Sequence, residues 1–155
     1  MTSDDIRTRM WKALSDSPNV MLSLDASRDH AEPMHAILDE KANSEFWFYT
    51  TKTNRSASGG PAMAQFSSKG HDVFACIRGT LVEETRKEII DKYWSNPVSA
   101  WFEGGKDDPA LKMMRFELKD AEIWLAEPGF KGVFKLLTGK KVDPEEMGEH
   151  ERVNL

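Results

Sequence analysis

The sequence predicts a mainly β fold with peripheral helices, a small antiparallel barrel of about six strands. Three observations carry this reading. Strand-like segments follow one another through turns rather than through helices, which disfavours a β-α-β layout. Helical periodicity is confined to a few short segments. The chain has 155 residues, of which 39% are hydrophobic, enough for one domain that buries about two-thirds of its unfolded surface without disulfides.

Residues 2–15 fit an amphipathic helix. Thr2 or Ser3 can cap it, and Asp4 and Asp5 lie in the first turn, where the macrodipole favours carboxylates. Ile6, Met10, Trp11 and Leu14 then share one face. Pro18 follows, and residues 19–24 read as a buried strand. Residues 33–38 are a second strand with proline first, where a missing N–H is tolerated, and 39–45 a polar turn. Phe46-Trp47-Phe48-Tyr49-Thr50-Thr51 is the clearest strand, built of aromatic and β-branched residues. The polar stretch 52–61 ends in Gly59-Gly60-Pro61 and excludes a long helix. Residues 62–66 and 72–82 are two further strands, turned by 67–71. Over 83–94 the period becomes helical, with Ile89, Ile90, Tyr93 and Trp94 as the stripe. Asn96-Pro97 reads as a cap followed by proline at the first helical position. The short helix it opens carries Val98, Trp101 and Phe102 and stops at Gly104-Gly105. Segments 111–118 and 121–125 are strand-like, or one strand bent at Lys119-Asp120. Residues 130–137 predict a short apolar helix ending at Gly139, so that 1–139 form the domain and 140–155 a polar, mobile tail.

Composition narrows the function classes. The formal charge is −5, from 21 basic and 26 acidic residues, which argues against non-specific nucleic-acid binding. No apolar run approaches the ~20 residues of a membrane helix, so neither nucleic acid nor membrane is an expected partner. One cysteine, Cys76, and an acidic start without an apolar leader point to a cytoplasmic protein. The four histidines show no metal-ligand spacing, and no metal site is expected. Phosphate-loop, dinucleotide-binding and hydrolase-elbow motifs are also absent from the sequence.

One loop stands out. Tyr49-Thr50-Thr51-Lys52-Thr53-Asn54-Arg55-Ser56 places hydroxyls, an amide and two cations at a strand end. A phosphate monoester suits that set: Arg for bidentate contact, Lys for charge, hydroxyl and backbone donors for the rest. A solvated polar loop accounts for the same residues. Trp101 precedes Phe102-Glu103-Gly104-Gly105-Lys106-Asp107-Asp108, where an indole could cover a planar ligand or pack as core. Cys76, amid Val73-Phe74-Ala75-Cys76-Ile77, reads as a small buried hydrophobe.

Three segments, taken together and in order, resemble the general stress protein branch of the pyridoxamine 5'-phosphate oxidase-like proteins. They are Pro33-Met34 opening a strand, Phe46-Trp47-Phe48-Tyr49-Thr50-Thr51-Lys52, and Ala100-Trp101-Phe102-Glu103-Gly104-Gly105-Lys106-Asp107-Asp108-Pro109. The resemblance spans nearly all of residues 1–126. It implies an FMN-binding split β-barrel, a homodimer with FMN (or FAD) at the subunit interface, and flavin-dependent oxidoreductase activity with a small reductant such as a nicotinamide. A non-catalytic flavin-binding or sequestering protein is the alternative, and a barrel that has lost flavin a third.

By the same resemblance, Tyr49 and Thr50 match the family's aromatic-threonine pair, and Asn54 and Arg55 fall where its phosphate-binding Ser-Arg pair stands. Lys52 is an added cation. Pro33, Met34 and His35 occupy the strand that offers backbone contacts to the flavin ring, and Trp101 matches a segment near it. Two departures count against oxidation of vitamin B6. Glu32 stands where the true oxidases carry arginine, and their C-terminal Trp and Arg-x-His elements have no counterpart after Glu127. Gly59-Gly60-Pro61 also replaces a helix found in many relatives. No catalytic residue is assigned.

Overall fold

Residues 2–39, 41, 44–126 and 148–155 are described in the structure, a computed structural model. The chain opens with α1 (Ser3–Asp16), capped by Thr2 in a reciprocal capping box with Asp5. Ile6, Met10 and Leu14 on its inner face are buried, each worth about 1.5–3 kcal/mol of hydrophobic stabilisation.

Seven strands follow: β1 (Asn19–Leu24), β2 (Glu32–His35), β3 (Glu45–Thr51), β4 (Gly60–Ser67), β5 (Val73–Glu83), β6 (Leu111–Ala126) and β7 (Gly148–Asn154). They form one antiparallel sheet in the order β2-β1-β4-β5-β6-β3, with β7 also paired to β6. The two ends of that order meet. Ile37, just past β2, exchanges both backbone hydrogen bonds with Trp47 of β3, at 2.7 and 3.0 Å. A single bridge closes the seam, so the sheet curls into a barrel that is split along it.

Period-2 alternation fills the inside. Val73, Ala75, Ile77 and Leu81 of β5 are buried, while Phe74 and Arg78 between them point outward. Phe46, Phe48 and Phe116 meet at the centre, with ring centroids 5.1 and 5.5 Å apart. On the opposite face of β3, Trp47 is buried because α2 (Lys87–Tyr93) covers it, Tyr93 stacking on its ring at 5.0 Å.

The structure sharpens several sequence expectations. The long strand-like region 111–125 is one strand, and its bend is a β-bulge: Arg78 pairs with Asp120 but Gly79 with Leu118, leaving Lys119 as the extra residue. Gly79 is required there, since a Cβ would lie 2.3 Å from the Glu117 carbonyl oxygen. Helix α2 begins at Lys87 rather than 83, because β5 continues pairing as far as Glu83↔Met114. The second strand ends at His35, with only Ile37 bridging beyond it. Gly60 and Pro61 begin β4 rather than ending a loop. Helix α3 (Asn96–Ser99) is capped by Ser95 rather than Asn96, which puts Pro97 at its second position, and it ends before Trp101 and Phe102. Of the predicted mobile tail, residues 148–154 are corrected: they form β7, which pairs along β6 from Asp120↔Asn154 to Ala126↔Gly148 and buries Val153, while 140–147 lie outside the described residues. The predicted helix over 130–137 lies outside the described residues. No described helix is long and apolar enough to cross a membrane.

Candidate functional site

The polar loop 52–59 joins β3 to β4 at the barrel rim, and its shape comes from its own side chains. The Asn54 Oδ1 accepts from the Ser56 amide at 2.8 Å, while the Asn54 carbonyl accepts from Ala57 at 3.0 Å. Asn54 is thereby the residue that bends the loop. The Gly59 amide donates to the Ser56 carbonyl at 3.1 Å. Gly59 has φ +68°, and a Cβ there would meet the Leu81 carbonyl oxygen at 2.7 Å, so the exit requires glycine. Two bonds fasten the loop to β6 and the residue before it: the Lys52 amide donates to Ala110 at 3.0 Å, and Lys112 Nζ to the Ala57 carbonyl at 2.6 Å.

Arg55 spans from this loop to the start of β2. Its Nη1 donates to the His30 carbonyl at 2.8 Å, and its Nε lies 3.3 Å from Glu32 Oε2. Lys52 and Thr53 are exposed, and Thr50 is buried beneath them. Inside the loop Ser56 is 2% exposed, and its Oγ has no hydrogen-bond partner among the described residues. Glu32 Oε1 is likewise buried and unpartnered. Leaving a buried hydroxyl or carboxylate oxygen unpaired costs about 1–3 kcal/mol. Two such atoms border one loop that also carries two cations.

The other sequence-predicted residues divide. On β2, Pro33 and His35 are exposed, but the Met34 side chain turns inward onto the core. Only backbone atoms of Met34 can therefore contribute to a site. β2 pairs with β1 along one edge and with no named strand along the other. His35 Nδ1 lies 3.4 Å from Asn19 Oδ1. The Tyr49 hydroxyl donates to the Ile90 carbonyl at 2.6 Å. Burial pushes its phenol up to about 12, with Asp91 and Tyr93 adding repulsion, so Tyr49 is a neutral anchor for α2 rather than a proton donor to a ligand. Trp101 does not pack as core: it is 84% exposed. Its neighbour Phe102 is buried against Trp94, which in turn packs edge-on against Tyr49 at 5.6 Å. The turn that carries Trp101 is thus tethered to the outer face of β3 with its indole presented to the surroundings.

Sequence reasoning did not assign Glu32, Ser56 or Lys112. Glu32 was visible as a departure from the oxidases, and Ser56 as part of the hydroxyl-rich loop. Nothing in the sequence marks Lys112, whose role depends on the β3–β6 register that pairs Thr50 with Lys112. A second charged cluster lies apart from the loop. Glu84, 2% exposed, is held by Arg86 at 2.7 Å and by Arg115. Both its oxygens are partnered, which is the signature of a structural ion cluster. A concavity of ≈ 800 Å³ lies beside α1 and is lined by none of the candidate residues. Among the described residues no group of three or more His, Cys, Asp or Glu side chains could hold a metal ion.

Comparison with known proteins bears on this arrangement. A structure described as a general stress protein 26 from Jannaschia sp. CCS1 has a TM-score of 0.80 and 28% identity, covering 98% of this chain and 99% of that chain. The general stress FMN/FAD binding protein of Xanthomonas citri is 40% identical at a TM-score of 0.77, covering 83% of this chain and 94% of that one. A general stress family protein from Xanthomonas campestris pv. campestris is 39% identical at a TM-score of 0.76, covering 84% and 93%. No curated protein matches the chain. The family described as "Pyridoxamine 5'-phosphate oxidase like" matches residues 5–145. With a split antiparallel barrel like that of its solved relatives and a family match over residues 5–145, the chain belongs to the pyridoxamine 5'-phosphate oxidase-like family.

Proposed function

We propose that this protein is a flavin-binding stress-type protein that holds FMN, with FAD as the larger alternative, and uses it in oxidoreduction with a small reductant such as a nicotinamide. One observation carries the reading: a buried serine hydroxyl without a partner sits inside a loop bearing two cations. A phosphate monoester would satisfy that hydroxyl and draw on Arg55 and Lys52. The Xanthomonas citri relative, described as FMN/FAD binding, supports it. When bound, the isoalloxazine supplies the hydride or electron chemistry. This chain's residues would do the holding. Arg55, Lys52 and Ser56 would take the phosphate, Asn54 would keep the loop bent around it, and the free edge of β2 at Pro33, Met34 and His35 would face the ring.

The reading extends to a homodimer with the flavin between two copies. In one chain the Trp101 indole is exposed. A second copy would cover it. The protein is read as cytoplasmic.

The test is a visible spectrum of the purified protein, then titration with FMN of the wild type and of Arg55→Ala. Saturable binding at one site per chain is expected, weakened in the variant by about 1.5–3 kcal/mol, or roughly 10- to 150-fold. Equal affinity in the variant removes Arg55 from the site, and a wild type that takes up no flavin ends the proposal. Reduction by a nicotinamide donor well above that of free FMN supports an oxidoreductase. Binding without turnover leaves a flavin carrier.

A further inference from the structure

We infer that Glu32, at the start of β2 facing that loop, is a ligand-reading residue of the same site, taking a hydrogen bond from a hydroxyl of the ligand's polyol chain; this rests on the flavin reading above. Glu32 is divided between two tasks. Oε2 lies 3.3 Å from Arg55 Nε, which, together with the His30 carbonyl, fixes the guanidinium across the loop mouth. Oε1 is buried and has no partner among the described residues. An ionised carboxylate oxygen can only accept, so the missing partner must be a donor. Phosphate offers no donor when fully ionised and would be repelled by the carboxylate. A neutral hydroxyl is the group that fits beside an anion and a cation together. The same arrangement explains how glutamate can stand beside a phosphate loop: Arg55 neutralises one oxygen, and a polyol hydroxyl occupies the other.

The inference separates the polyol from the phosphate, and ligands that carry one without the other can test it. Riboflavin has the polyol chain and no phosphate, while lumiflavin has the ring alone. Fluorescence-quenching titrations of the full chain with FMN, riboflavin and lumiflavin, for wild type and Glu32→Met, provide the comparison. Methionine keeps the length of the side chain and removes both oxygens. Riboflavin affinity is expected to fall about tenfold, as for loss of a charge-assisted hydrogen bond. FMN should fall at least as far, and lumiflavin should stay weak and unchanged. Thermal unfolding checks that the variant is folded; should it fail, Glu32→Gln replaces it, with a smaller loss in the same pattern.

Unchanged riboflavin affinity with altered FMN affinity would mean that Glu32 acts only through Arg55, and overturns the inference while leaving the flavin reading intact. Riboflavin binding too weak to measure in the wild type would locate the affinity in the phosphate and overturns it equally. An equal loss for lumiflavin would report a general disturbance of the site and also overturns it. A wild type that binds none of the three removes both readings.

Discussion

Two buried serines flank β4, and the molecule treats them oppositely. Ser68, after the strand, is 5% exposed and uses its hydroxyl three times. It donates to Asp72 Oδ1 at 2.7 Å and accepts from the Asp72 and Val73 amides at 3.1 and 3.0 Å. Ser56, before the strand, is 2% exposed and its hydroxyl is unpartnered. The turn 68–72 closes on itself, and among the described residues its carboxylate faces outward to Arg9, 3.6 Å away. The loop 52–59 closes its backbone on itself but leaves side-chain capacity unused. A polar turn that satisfies all its groups is scaffold. One that buries a hydroxyl and leaves it open, beside two cations, is shaped for something else.

The largest break in this comparison should come from the backbone. Gly59→Ala places a Cβ against the Leu81 carbonyl and forces a left-handed residue, costing about 1–3 kcal/mol in backbone strain with the collision added. Chemical denaturation should show the loss, and FMN affinity should fall with the loop's shape. Next comes Ser68→Ala. It orphans the buried Val73 amide and is expected to cost about 1–3 kcal/mol of stability, with flavin binding unchanged in titration. Ser56→Ala should do the reverse. Removing an unpaired hydroxyl is expected to leave stability level or raise it by up to about 1 kcal/mol, while FMN weakens by about fivefold. If Ser56→Ala destabilises like Ser68→Ala, the contrast between the two turns fails.

The smallest effect concerns acid. The Ser68 hydroxyl, followed by the Asp72 amide and Arg9, holds the Asp72 carboxyl below its usual value. A depressed folded value means that the unfolded chain binds the proton more readily. The contribution is therefore present above the unfolded value of about 3.9 and is lost as pH falls through the lower folded value. An NMR titration should find the Asp72 midpoint returning toward normal in Ser68→Ala and unmoved in Ser56→Ala.

Much of the architecture was legible in the residues. Thr2 with Asp4 and Asp5 announced α1 and the aromatic run 46–51 announced β3, because caps, period and β-branching are local properties; Pro97 marked the start of α3, although its cap is Ser95 and not Asn96. The bend expected at Lys119-Asp120 emerged as the bulge at Lys119. The tail misled because β7, Gly148–Asn154, is polar along most of its length, and what makes it a strand is the edge of β6 beside it. Polar alternation alone does not distinguish such a strand from solvated coil.

The site was legible in part, and for the same reason. Composition alone marked the loop as rich in hydroxyls and cations, and the family resemblance singled out Arg55 and Trp101. Which groups are satisfied was not legible, since satisfaction depends on partners distant in sequence. Arg55 meets His30 and Glu32, Lys112 meets Ala57, and Tyr49 is occupied by Ile90. The amino-acid sequence by itself determined most of the strands, the cap of α1 and the chemistry available at the rim. Tertiary structure decided which of those groups are already bonded and which are left open, because burial and hydrogen-bond pairing belong to the closed barrel, and no short segment carries them alone.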